Sequence, residues 1–157
     1  MPDISGKSAG FIGYQGRLSR STAGNAGPWT AVPEVKSFDP GEKTVEEAEF
    51  THLESPGKTR EYKATFSDAG TMSVVCNFLD PVLDAAGAAI QDAIIADIGV
   101  NDADYYWKIE WREDDGTVRK TVIFPGYVAT AKAPNTTTTD PVEFNFSVRV
   151  TGNEVWS

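Results

Sequence analysis

A chain of 157 residues with 40% hydrophobic content and four tryptophans fits one folded domain with one core and excludes wholesale disorder. Its net charge of −9, from 23 acidic against 14 basic residues, excludes electrostatic affinity for nucleic acid or an anionic membrane surface, since both need clustered Lys and Arg. The single cysteine, Cys76, excludes an internal disulfide framework and every multi-cysteine metal site.

The start, Met1 to Gly6, has neither the basic region nor the apolar run of a signal peptide, and no segment is long and apolar enough to span a bilayer. Synthesis in the cytoplasm, with no membrane partner, is the expectation. The first predicted strand is Gly10 to Leu18, with Ile12, Tyr14, Gly16 and Leu18 on one face. Ser19 to Pro28 reads as a turn region rich in Ser, Gly and Asn. Trp29 to Phe38 is a second strand, and Pro33 in its middle marks an edge or a bulge because proline cannot donate to a ladder.

Asp39 to Arg60 shows no sustained period and carries Glu42, Glu46, Glu47, Glu49 and Glu54 around His52. Connections this long are functional or disordered, so loop 39–60 reads either as a solvated acidic loop or as a binding arm. A short hairpin at Val45 to Leu53 fits within it. Tyr62, Ala64 and Phe66 then alternate with polar residues. After Asp68-Ala69-Gly70, Met72, Val74, Cys76 and Phe78 do the same, which predicts a hairpin with Cys76 as a small apolar core residue.

Asp80-Pro81 supplies an N-cap and a first-turn proline, so a helix is predicted over about 81–98, closed by Gly99. Leu83, Ala86, Ile90, Ala93 and Ile94 form its apolar stripe, while Ala85, Gly87, Ala88 and Ala89 permit close approach to a sheet. Three strands follow, Tyr105 to Arg112, Thr117 to Ala129 and Pro141 to Thr151. Asp114-Asp115-Gly116 joins the first two, and Ala133 to Asp140 is a polar loop. In the last strand Phe144, Phe146, Val148 and Val150 alternate strictly with Asn145, Ser147, Arg149 and Thr151, one face on a core and one outside. The fold class is mainly β: a β-sandwich or partly open barrel with one flanking α-helix.

No constellation for catalysis stands out. His52 is the only histidine and has no Gly-x-Ser-x-Gly elbow to serve. The loop glutamates lack the fixed opposition that glycoside hydrolysis needs. Asp80 and Asp84, or Asp97, Asp102 and Asp104, lack the alternating pattern of a calcium loop, so they read as caps and turns. Tyr105, Trp107, Ile109 and Trp111 share a strand face that suits core packing better than a sugar platform, with Lys108, Glu110 and Arg112 opposite. No catalytic residue, metal or cofactor is assigned. A carbohydrate- or protein-binding sandwich module and a small hydrolase built on His52 remain as alternatives.

Ser37-Phe38-Asp39-Pro40-Gly41-Glu42, the long loop, the Pro-capped helix, Phe124-Pro125-Gly126-Tyr127-Val128 and the final Phe-rich strand reaching Thr151-Gly152 follow one another in an order with a precedent. The chain resembles the major tail tube protein of long-tailed, lambda-like phages (siphoviruses), a fold similar to the inner tube of type VI secretion systems. The resemblance implies a structural virion protein without enzymatic activity or cofactor. It implies one tail-tube domain over 1–157 with no C-terminal immunoglobulin-like domain. Six copies would form a ring, and rings would stack into the hollow tube of the virion tail that delivers DNA. The partners implied are further copies of the chain, tape measure, tail-tip and tail-terminator proteins, and double-stranded DNA that passes without specific binding. On this reading Asp39, Glu42, Glu46, Glu47, Glu49, His52 and Glu54 lie at inter-ring or inter-subunit contacts. Lys108, Glu110, Arg112, Arg119 and Thr121 are candidates to face the lumen, whose net charge is expected to be negative.

Overall fold

Strict alternation in the last long strand builds the centre of the molecule: Phe144, Phe146, Val148 and Val150 are all at most 6% exposed, while Asn145, Ser147 and Arg149 point away from the core. The computed structural model describes residues 16–113 and 115–157. In chain order these form β1 (Arg17–Ser21), β2 (Thr30–Ala31), β3 (Val35–Asp39), β4 (Thr44–Glu49), β5 (Tyr62–Asp68), β6 (Thr71–Asn77), helix α1 (Ala85–Ala96), β7 (Tyr106–Arg112), β8 (Val118–Asn135), β9 (Glu143–Val150) and β10 (Val155–Trp156). Every pairing is antiparallel. The main sheet runs β2-β1-β7-β8-β9-β6-β3, with β10 beside β8, and β4-β5 stands apart as a two-stranded hairpin.

Strand β8 is 18 residues long and serves both halves of the sandwich. Its first part pairs with β7 as far as Pro125, and from Gly126 it pairs with β9. One half of the sandwich contributes Leu18, Trp107, Ile109, Val122 and Phe124 to the core. The other contributes Met72, Val74, Cys76, Val128 and the β9 residues, and all belong to a single buried cluster. Strands β2 and β3 sit at opposite ends of the strand order although only Val32, Pro33 and Glu34 separate them. The sheet therefore curls back on itself, and because β2 and β3 do not pair it stays a sandwich instead of closing into a barrel.

Several sequence expectations are corrected here. The strand expected from Gly10 lies outside the described residues up to Gln15, and β1 runs on to Ser21, inside the stretch read as a turn. The single strand expected over Trp29 to Phe38 is two. Pro33 has no amide for a ladder and Glu34 takes a positive φ of 46°, so the chain turns there and changes edge. Strand β5 does not form a hairpin with β6. It pairs with β4, while β6 lies between β3 and β9. Strand β8 runs past Ala129 to Asn135, into the start of the stretch read as a polar loop, and β10 lies where no strand is expected.

The helix also begins later and is rotated. Asp80 accepts from Val82 N–H at 2.8 Å and caps a separate turn, whereas the helix N-cap is Asp84, which accepts from Gly87 N–H at 2.9 Å. Its buried face is Gly87, Ala88, Gln91 and Ile94, and Leu83, Ala86 and Ala93 face outward. Gln91 explains the rotation: Nε2 donates to the Asn77 carbonyl at 2.7 Å and Oε1 accepts from Leu79 N–H at 3.1 Å, so a polar side chain stitches helix to sheet. Cys76 is fully buried, as expected, and burial pushes its thiol up to about 11.

Candidate assembly surfaces

The segment read as a loop is mostly a projecting arm. Strands β4 and β5 pair from Thr44↔Asp68 to Glu49↔Tyr62, and every side chain on them except Ala48 is exposed. Glu46, Glu47 and Glu49 stand on β4, His52 and Glu54 at the tip, and Asp39 and Glu42 at the base. The candidate loop residues are thus spread along the arm and do not converge on one pocket. Five apolar side chains on the arm, Val45, Phe50, Leu53, Tyr62 and Phe66, were not singled out as surface residues, and all are more than half exposed. The alternation of Tyr62, Ala64 and Phe66 is broken by a bulge that sets Thr65 and Phe66 together opposite Glu46, and no part of the described chain covers either face. A two-stranded hairpin without a core is at best marginal in water.

At the base, backbones cross too closely for side chains. Gly41 and Gly70 have φ of 78° and 80°, and a Cβ would meet Thr71 O at 2.3 Å and Glu42 O at 2.6 Å respectively. Arg149 binds Asp68 across this neck at 2.6 Å. The Gly70 amide, and then Arg149, hold the Asp68 carboxyl below the usual range. A cleft of about 410 Å³ beside the neck is lined by Lys43, Asp68, Tyr127, Arg149, Thr151 and Asn153, among others.

At the tip, His52 Nε2 lies 3.5 Å from Glu61 and its Nδ1 accepts from Glu54 N–H at 3.1 Å. Ser55 Oγ donates to Glu61 at 2.7 Å. The hydroxyl is therefore committed to the carboxylate and not to the imidazole, so a base-activated nucleophile is not assembled here.

The outer face of β7 and β8 carries the other candidates. Lys108 and Glu110 form a 3.2 Å ion pair, are 18% and 13% exposed, and the Lys108 ammonium lies 4.8 Å from the centre of the Trp29 ring. Arg119 pairs with Glu113 at 2.7 Å, Thr121 stands opposite Glu110, and Arg112 is half-buried. On the opposite face of the same strands, Trp156 of β10 stacks on Trp111 with ring centres 5.8 Å apart and planes 5° from parallel. Lys120 lies 5.9 Å from the Trp156 ring centre.

The fold recurs in solved structures. A chain of the sheath–tube complex of the PVC extracellular contractile injection system, in its extended state, is 12% identical, with a TM-score of 0.71 over 95% of this chain and 92% of that one. A chain from the tail of an empty gene transfer agent particle, determined with C6 symmetry, is 14% identical, with a TM-score of 0.65 over 94% and 99%. The SPP1 tail tube is 14% identical, with a TM-score of 0.59 over 94% and 78%. No protein-family model matches the chain, and no curated protein matches it in sequence. The chain has the fold of tail tube proteins.

Proposed function

We propose that the chain is the subunit of a tail tube, with one domain over 1–157, six copies in a ring and rings stacked into a conduit through which DNA passes. The observation that carries this reading is the fold match over almost the whole chain, in which the body and the arm are both included. The arm supports it physically: its exposed apolar residues and unpaired strand edges are stable features only if another copy covers them. Tape measure, tail-tip and tail-terminator proteins are the natural further partners. The virion tail is the place of action.

Negative-stain microscopy is the direct test. The purified chain, with tail-tip partners as nucleus, should form tubes. A variant with residues 44–68 replaced by a short Gly-Ser turn should keep its fold and fail to polymerise. Monomers in the first case, or unaltered tubes in the second, would contradict the proposal.

The outer face of β7 and β8 is the proposed lumen wall. Its cations Lys108 and Arg119 are each matched by a carboxylate within the subunit, so neither is free to grip phosphates. Assembled tubes are expected to release double-stranded DNA at about physiological salt. Retention there would count against this assignment of the wall.

A further inference from the structure

Two exposed surfaces of the described chain lack a partner within one subunit, and they are complementary. On the arm, Tyr62 and Ala64 share one side of β5, with Tyr62 51% exposed, while a bulge between Ala64 and Ser67 turns Phe66 to the other side. Glu47 pairs with Ala64 across the hairpin and so stands on that same side, with no cation partner among the described residues. On the body, the Trp111–Trp156 stack forms a ledge, and Trp156 is 54% exposed. Lys120 is the register partner of Trp111 and lies along the Trp156 ring, with no carboxylate partner among the described residues. Each surface thus presents an exposed aromatic beside a charge without an ion-pair partner, Glu47 on the arm and Lys120 on the ledge, where the Trp156 indole N–H donates to Glu154 at 3.2 Å.

We propose that the arm of one copy docks on the Trp111–Trp156 ledge of the next, with Tyr62 against Trp156 and Glu47 beside Lys120. This rests on the tube reading above and names the receiving surface for the arm. Arm and ledge are different patches, so a docked pair still offers one free arm and one free ledge, and the contact propagates instead of closing at two copies. Stacked indoles are the rigid, large-area anchor that interfaces use most effectively, and the flanking charge pair fixes orientation.

Charge reversal tests it. Lys120→Glu and Glu47→Lys, each alone, should raise the concentration needed for tube assembly by about tenfold or more, and Trp156→Ala by about thirtyfold. The double variant E47K/K120E should return towards the unmodified chain. Subunits carrying Glu47→Cys together with Lys120→Cys should oxidise into interchain ladders, a readout that does not depend on the aromatic residues. Tubes that form normally in K120E and W156A, with no ladder, would overturn this docking and leave the tube function standing. An unmodified chain that stays monomeric with its tail-tip partners would overturn both.

Discussion

Trp107→Ala is expected to lower stability by about 4 kcal/mol and the melting temperature by roughly 8–16 °C, within the range for removing a large buried aromatic from a chain of this size. Trp107 is 1% exposed and reaches across the sandwich to Phe146, with ring centres 5.8 Å apart. Its indole N–H also donates to the Gly126 carbonyl at 3.3 Å, at the point where β8 passes from one half of the sandwich to the other. The alanine variant loses apolar burial, the ring contact and a bond to the bend together. Trp107→Phe keeps a ring and loses the N–H, so its loss should be clearly smaller. Equal melting curves for the two variants, or an alanine variant as stable as the parent, would refute this account of the core.

Asp97→Ala should cost about 3 kcal/mol, or roughly 6–12 °C, because it strands a buried cation. Arg20 is 7% exposed, and its guanidinium lies against the rings of Tyr105 and Trp107 at 5.2 and 5.6 Å and is bound by the Asp97 carboxylate. Its Nε has no hydrogen-bond partner, so little else compensates the charge. Asp97 keeps 24% of its side chain exposed, which places the cost at the lower end of the range for breaking a buried pair. A carboxylate at a helix C-terminus opposes the dipole, so Asp97 stands there for Arg20 and not for the helix. Removing both groups, as Arg20→Met with Asp97→Ala, should recover much of the loss in thermal melts. A double variant less stable than Asp97→Ala would show that the pair is not the unit that matters.

The parts of the fold legible in the sequence are those where burial is one-sided and internal. Strands β7 and β9 alternate between core and outside along their length, and Glu113 to Thr117 closes the expected hairpin through the bond from Gly116 N–H to Glu113 O. The arm was hidden because Glu46, Glu47 and Glu49 meet water on both faces of β4, which leaves no period to read. Phe66 misled in the opposite direction: its alternation signals a covered face, yet the body of the subunit does not cover it. Helix phase failed on Gln91, a polar residue whose burial depends on two backbone groups at and just beyond the end of β6 that composition cannot reveal. Strand β10 is too short for any pattern, and its aromatic stack links Trp156 to Trp111, far away in the chain. Lys108 and Glu110 lie opposite the core-facing Trp107 and Ile109, as the alternation implies, but the shielding of Lys108 by Trp29 depends on a turn that only folding brings near.

The glycine neck also separates the arm's length from the body's register. Strands β3 and β6 are locked at Asp39↔Ser73, and β4 and β5 resume at Thr44↔Asp68 beyond the crossing. Matched insertions in β4 and β5 would therefore lengthen the arm by about 3.4 Å per residue without disturbing the sandwich. Parity, however, is constrained: one added pair between neck and Phe66 would turn Phe66 to the other side, and two would turn it back. The arm is in this sense an adjustable spacer whose reach can drift in steps of two residue pairs while the face it presents is preserved.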